Sequence, residues 1–358
     1  MSFERKNITK IQGYVPGEQP KSEGFVKLNT NENPYPASPL VAEYLAKIQA
    51  EDLRRYPTPM ADEFRKIASQ IHGVDPLNII PTNGGDELLR LAITTFVDEN
   101  ETVVITKPSY SLYPILTQIH NCSLEEIALS DNFALPEDFK NIIKNVTAKM
   151  CILVNPHAPT GSLLKTSFID ELASNFSGIL VVDEAYVDFV DSTESYNCIP
   201  LVKKHKNLLL LRTLSKGYSL AGLRFGYGIA DPELIAPMMH KTRDSYNTDY
   251  VSQKLATAAL LSREYAKENW ERVRISRQGL IGNLCNLGLK TLPSHSNFVL
   301  SQVPLELGAE VLYQKLKQKN ILVRYFDEDL LRDKIRISVG SEQENKLLIA
   351  SLKEILNA

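Results

Sequence analysis

The sequence predicts an α/β fold, with a large domain built on a mostly parallel sheet flanked by helices and a smaller α+β domain beside it. Three observations carry this reading. From about residue 78 to 250, short apolar runs alternate with helical stretches, as strand–helix repeats do. Gly178-Ile-Leu-Val-Val-Asp183 is apolar at successive positions rather than alternate ones, which suits a strand covered on both faces. From about residue 265 the pattern changes to a long charged helix followed by short alternating strands.

Residues 1–35 are rich in Pro, Gly and Asn and read as an extended arm. Segments 36–50 and 60–72 have helical apolar spacing. Candidate strands of the large sheet are Asn78–Thr82, Thr102–Thr106, Met150–Asn155, Ile179–Asp183, Asn207–Arg212 and Gly226–Ala230. One long helix is expected over 251–287. It leads to a strand at 296–301, a helix, strands at 321–325 and 334–338, and a terminal helix. The expected division is 1–50 as an arm packing with the small domain, 51–260 as the large domain and 261–358 as the small one.

Composition narrows the function. A formal net charge of −3 excludes a broadly basic nucleic-acid-binding surface. No run of eighteen apolar residues occurs, so no membrane span is expected. The opening Met1-Ser-Phe-Glu-Arg-Lys is charged and does not read as a secretory leader. The 4 cysteines are far apart, and the 6 histidines form no ligand pattern, so no metal site is expected. The cysteines read as reduced thiols, giving a cytoplasmic expectation.

The chemistry concentrates in Arg212-Thr-Leu-Ser-Lys216-Gly-Tyr-Ser-Leu-Ala-Gly-Leu-Arg224. A lysine on a turn after a buried strand is partly desolvated, which lowers its pKa and frees its amine to attack a carbonyl carbon. Thr213, Ser215 and Arg224 around it offer the hydroxyls and the cation that a phosphate takes. Asp183 closes its apolar run where a strand would deliver a carboxylate able to keep a pyridine nitrogen protonated; it equally fits a cap of the following helix. Asn83-Gly84-Gly85-Asp86 precedes an apolar helix and could hold an anion on exposed backbone N–H groups.

These motifs, with Asn155-Pro-His-Ala-Pro-Thr-Gly161, Asp183-Glu-Ala-Tyr186 and Gly222-Leu-Arg224, appear together in one order. The chain thereby resembles the fold-type-I pyridoxal-phosphate aminotransferases over essentially its whole length. Gly13-Tyr14-Val-Pro-Gly17, Leu28-Asn-Thr-Asn-Glu-Asn-Pro34, Arg55-Tyr56-Pro57 and Ile335-Arg336-Ile-Ser-Val-Gly340 resemble the histidinol-phosphate branch of that family.

The resemblance implies pyridoxal 5'-phosphate bound through Lys216, paired with Asp183, touched by Tyr186 at its ring oxygen, and stacked against Tyr110. Gly85, Asp86, Thr213, Ser215 and Arg224 would hold its phosphate, with Tyr56 reaching across a homodimer to the neighbour's cofactor. Tyr14, Tyr246, Arg324 and Arg336 would bind the substrate's acidic group. The implied reaction passes the amino group of L-histidinol phosphate to 2-oxoglutarate, giving imidazole-acetol phosphate and L-glutamate. An aromatic-amino-acid aminotransferase, a phosphothreonine-decarboxylase-like lyase of the same fold and a non-catalytic relative are the alternatives. One position departs from the family, which places asparagine before Pro159-Thr-Gly161; this chain has Ala158.

Overall fold

A computed structural model describes residues 3–20 and 24–356 of the chain. Met1, Ser2 and residues 21–23 of the expected arm lie outside the described residues. The strands in order are β1 (Val26–Lys27), β2 (Ile79–Thr82), β3 (Thr102–Lys107), β4 (Ser123–Ala128), β5 (Met150–Val154), β6 (Ile179–Asp183) and β7 (Leu208–Thr213). They continue as β8 (Gly226–Ala230), β9 (Lys290–Thr291), β10 (Phe298–Gln302), β11 (Ile321–Leu322), β12 (Arg324–Tyr325) and β13 (Lys334–Ser338).

The large sheet has seven strands in the order β2-β8-β7-β6-β5-β3-β4. Pairings from β7 to β4 are parallel, and only β8 runs against its neighbours. The alternation of side chains across a strand explains the apolar runs. Leu208, Leu210, Leu180 and Val182 face one core, and Leu209, Leu211, Ile179 and Val181 face the other. Helices cover both faces, so the strands are apolar on both. The C-terminal ends of β3, β5, β6 and β7 lie along one edge of the sheet, where ligands bind in such folds.

The smaller sheet runs β12-β13-β10-β9 and is antiparallel. Helices Ala309–Gln318 and Glu342–Leu356 carry the residues that cover it. The N-terminal segment joins this unit: β1 pairs with β11, and the Leu28 carbonyl accepts from the Ser338 N–H.

Four sequence expectations change. The strand expected at 321–325 is two, β11 pairing with β1 and β12 with β13 in a different sheet. β4 was not expected, because Ser123-Leu-Glu-Glu-Ile-Ala is an edge strand with mostly solvated side chains. β1 and β9, two residues each, are too short to show a period. The long helix is two helices, Tyr250–Leu261 and Arg263–Asn286. At the break Ser262 has ψ 32°, and its Oγ donates back to the Ala258 carbonyl while meeting Ser38 Oγ.

Candidate active site

Lys216 stands on the loop leaving β7, inside a cavity of about 230 Å³ between the two sheets. Its Nζ donates to the Thr30 carbonyl at 3.0 Å. Burial, reinforced by the charges of Arg336, Arg224 and Lys27 and opposed by Glu32, lowers its pKa to about 8. Roughly a fifth of the amine is therefore neutral near pH 7.4, far more than an unperturbed lysine would supply to a nucleophile's or proton carrier's task.

Asp183 closes β6 in the same cavity. Its Oδ2 accepts from Tyr113 Oη at 2.7 Å and its Oδ1 from the Ala185 N–H at 3.0 Å. Burial raises its pKa to about 6 against these two donors, with the charges of Asp86 and Glu184 adding to the rise. Tyr186 accepts from Asn31 Nδ2 at 3.0 Å and lies edge-on to Phe298.

At one end of the cavity the helix Gly84–Phe96 begins beside Arg224. Gly84 has φ +75°, and a Cβ there would meet Arg224 Nη2 at 2.7 Å; a Cβ on Gly226 would meet the Gly84 carbonyl carbon at 2.7 Å. Two glycines are thus required for the guanidinium and the helix N-terminus to converge. Arg224 pairs with Asp86 at 3.2 Å, and Thr213 Oγ1 donates to Ser215 Oγ at 2.9 Å close by. Exposed N–H groups, a guanidinium and two hydroxyls form an anion cradle.

At the other end β12 pairs with β13 so that Arg324 lies directly opposite Arg336. Like charges in that relation repel, so the fold alone gives no reason for the pair. Arg336 donates from Nη2 to the Asn29 carbonyl at 2.9 Å, and its ring neighbours are Phe298 and Phe326. Burial, opposed by Tyr186 and reinforced by Arg324, pushes its pKa down to about 10. Tyr14 also lines the cavity and meets Tyr110 edge-on at 5.8 Å. Tyr110 directs its hydroxyl to Asp86 at 3.4 Å and meets Tyr113 edge-on.

Pyridoxal phosphate fits this arrangement on an observation independent of resemblance. Ser109 Oγ, Asn29 Oδ1 and Arg336 Nε are buried without a hydrogen-bond partner, and all three residues line this cavity. Buried polar atoms left open around one cavity mark a ligand that would engage them. The cradle would take the phosphate, Asp183 the ring nitrogen, and Lys216 the aldehyde carbon.

The cavity therefore brings together Tyr14, Gly85, Asp86, Tyr110, Asp183, Tyr186, Thr213, Ser215, Lys216, Arg224, Arg324 and Arg336. It does not bring in Tyr56 or Tyr246. These two stack on each other at 4.4 Å, with exposures of 80% and 44%, outside the cavity of their own chain. Tyr246 thus stands apart from the arginine pair it was expected to join. His157 turns away as well, held by Thr160 and the Pro108 carbonyl, while Ala158 lines the cavity.

Sequence reasoning missed Tyr113, Asn29, Asn31 and Ser109. Tyr113 carries a faint signal, a second tyrosine one helical turn after Tyr110. The Asn29, Thr30 and Asn31 contacts run partly through backbone carbonyls, which no side-chain pattern announces.

Fold and site define a transferase of the lysine-and-carboxylate type, and the chain belongs to the family described as aminotransferase class I and II, whose model matches residues 23–352. It is 40% identical over 358 residues to histidinol-phosphate aminotransferase 1 of Trichormus variabilis, covering 99% of each chain. It is 41% identical over 352 residues to histidinol-phosphate aminotransferase of Citrifermentans bemidjiense, covering 98% of each. Among solved structures it superposes on histidinol-phosphate aminotransferase of Sinorhizobium meliloti in complex with pyridoxal-5'-phosphate. The TM-score is 0.91 at 25% identity, over 100% of this chain and 98% of that one.

Proposed function

We propose that this chain is a pyridoxal-phosphate-dependent transaminase of histidine biosynthesis. It would convert L-histidinol phosphate and 2-oxoglutarate to imidazole-acetol phosphate and L-glutamate. The observation that carries the reading is the opposed pair Arg324 and Arg336 in the cavity of Lys216 and Asp183. Two guanidiniums suit a phosphate near −2 better than they suit a lone carboxylate. The roughly 40% identity to histidinol-phosphate aminotransferases over the full chain supports it.

When bound, pyridoxal phosphate supplies an aldehyde for the lysine amine and a ring that accepts the electron pair released at the substrate's Cα. The chain's residues do the rest. Arg224, Ser215, Thr213 and the N-terminus of helix Gly84–Phe96 fix the phosphate and with it the ring's position. Asp183, ionised above about pH 6, holds the proton on the ring nitrogen. Tyr113 and the Ala185 N–H orient that carboxylate. With the cofactor bound, the Lys216 amine would be the base that takes the substrate's Cα proton and the acid that gives it to the neighbouring carbon. Arg336 and Arg324 anchor the acidic end of each substrate, and the 2-oxoglutarate carboxylate uses Arg336 in the second half-reaction.

The exposed Tyr56–Tyr246 stack supports a homodimer in which Tyr56 reaches the partner's cofactor phosphate. The buried free thiols Cys151 and Cys198 suit a reducing compartment, and we place the enzyme in the cytoplasm. We also propose 1–50 as an arm packing with the small domain, 51–260 as the large domain and 261–358 as the small one. A donor panel tests the function: histidinol phosphate, phosphothreonine, phenylalanine and tyrosine, each with 2-oxoglutarate. Histidinol phosphate is expected to give the highest kcat/KM. A higher value for phenylalanine or tyrosine, or carbon dioxide release from phosphothreonine, would replace this reading with the corresponding alternative.

A further inference from the structure

A second cavity, of about 440 Å³, lies on the other side of the Lys216 loop. Its lining includes Lys203, Arg212, Arg263, Lys267 and Arg274 against one acid, Asp188. Arg263, Lys267, Trp270 and Arg274 fall at i, i+4, i+7 and i+11 of the helix Arg263–Asn286, so one helix face presents three cations to it.

The charges are not balanced internally. Arg212 is matched by Glu184 at 2.6 Å, and among the described residues Lys203 is held by the Gly73 carbonyl at 2.7 Å and by no carboxylate. Lys267 and Arg274 make ion pairs with Glu264 and Glu271 three residues away on the same helix. Such surface pairs contribute little and exchange readily. Among the described residues Arg263 makes no hydrogen bond and no ion pair, and its Nε is buried. Asp188 likewise makes no hydrogen bond or direct ion pair among them, and the charges of Arg212 and Arg263 reach it across the cavity.

An arginine and a carboxylate that line one space without a direct bond, with Lys203 beside them, define a particular ligand chemistry. A fully deprotonated anion would satisfy the cations and be repelled by Asp188. A phosphate that keeps one P–OH satisfies both: its oxygens accept from the guanidiniums and its hydroxyl donates to the carboxylate. We propose that this cavity is a second anion site, selective for a protonated phosphate group, either inorganic phosphate or the head of a phosphomonoester.

The site is connected to the catalytic loop. Trp270, on the cavity wall, donates from Nε1 to the Gly217 carbonyl at 2.7 Å. The Asp188 carboxylate lies so close to Gly217 that no Cβ could be added there. The peptide following Lys216 is thus held from the cavity side by two of its lining residues.

Trp270 is the chain's only tryptophan, so its emission reports on the cavity directly. The experiment titrates the cofactor-saturated enzyme at about pH 6.5, where part of a phosphomonoester still keeps its P–OH, with inorganic phosphate, glycerol 3-phosphate and sulfate while following that emission. A saturable change with phosphate is expected, and sulfate should bind at least about tenfold more weakly, the worth of one hydrogen bond to a charged group. Glycerol 3-phosphate matching inorganic phosphate would identify the phosphomonoester head as the ligand; phosphate binding alone would identify the free anion. Arg263→Gln should weaken binding by a similar factor while basal turnover stays unchanged. Asp188→Asn should erase the preference for phosphate over sulfate. The signal should persist in Arg324→Ala, which separates it from the substrate site. No saturable change, equal affinity for sulfate, or a signal lost in Arg324→Ala but kept in Arg263→Gln would overturn the proposal.

Discussion

At one end of the active-site cavity, Lys216 and Asp183 leave β7 and β6, adjacent strands at the centre of a seven-stranded sheet. At the other end, Arg336 stands on β13 and Arg324 on β12, a strand of two residues in a four-stranded sheet that the N-terminal segment joins through the Leu28 carbonyl. The first end is fixed by strands buried along their length; Leu208, Leu209 and Leu210 have no exposed surface. The second is held by fewer bonds: β12 joins β13 over two residue pairs, and Arg336 rests on the Asn29 carbonyl. The difference separates two tasks. The chemistry needs groups that do not move relative to one another. Substrate choice needs an end that can close on a phosphate and then on a carboxylate.

Breaking the chemical end should have the largest effect. Lys216→Ala removes the amine that binds the cofactor and moves the proton, while deleting only one hydrogen bond, to Thr30. Turnover should fall by roughly 10⁴-fold with the fold intact. Reduction of the native protein with borohydride should leave pyridoxyl on Lys216, read by peptide mapping. Recovery on any other lysine removes the assignment.

Breaking the anion end should be smaller and selective. Arg336→Ala should cost about 2–5 kcal/mol in kcat/KM for both histidinol phosphate and glutamate, as truncating one partner of a buried charge pair does. Arg324→Ala should penalise histidinol phosphate more than glutamate, because only the phosphate needs the second cation. Equal losses for the two donors would describe a general aminotransferase instead.

The two ends also differ in how far the sequence announces them. Lys216 and Asp183 are legible because each closes or follows a buried strand, and a buried strand has an apolar signature; Arg224 is legible as an arginine set between Gly222 and Gly226. Arg336 is legible only as the polar member of Ile-Arg-Ile, and its register opposite Arg324 is a tertiary fact. Tyr56 and Tyr246, read from local motifs, lie outside the cavity of their own chain because a local motif does not say which side chains the fold brings together. Tyr113 was missed because its role depends on a helix packing across β6. The Ser262 break was missed because helical periodicity persists through it.

pH sharpens the comparison. The Lys216 amine must be neutral to capture pyridoxal phosphate, and its pKa is near 8. Capture by cofactor-stripped protein should therefore accelerate as pH rises through 8 and level off above about 9, where the amine is largely deprotonated. Stopped-flow absorbance checks this; a midpoint near 10.5 would mean that Lys216 is not desolvated in solution. Asp183 runs the other way. Its ionised form is what holds the ring proton, so cofactor retention should fall as pH drops through about 6. In Tyr113→Phe the carboxylate loses a donor that favours ionisation, worth about 1.5–3 kcal/mol for a bond to a charged group. Release on acidification should then begin at higher pH than in the native protein. An unchanged release profile would make Tyr113 a packing residue only.

The smallest expected effect is at Ala158, on the cavity wall at 8% exposure with no side-chain donor to offer. By resemblance an asparagine here would donate to the cofactor's ring oxygen, and its absence leaves Tyr186 as that oxygen's expected partner. Tyr186 is itself engaged as an acceptor from Asn31, with its hydroxyl proton still available to donate. Ala158→Asn adds a second donor to the ring oxygen, whose negative charge is greatest in the deprotonated bound form. A donor to the deprotonated form lowers the pKa of the bound chromophore. The visible-absorbance titration should move down by about one unit, equivalent to about 1.4 kcal/mol. The added side chain enters a cavity rather than a packed core, so the thermal midpoint should change little. A titration that does not move would show that another residue already supplies the contact, with Tyr186 the first to test by Tyr186→Phe in both backgrounds.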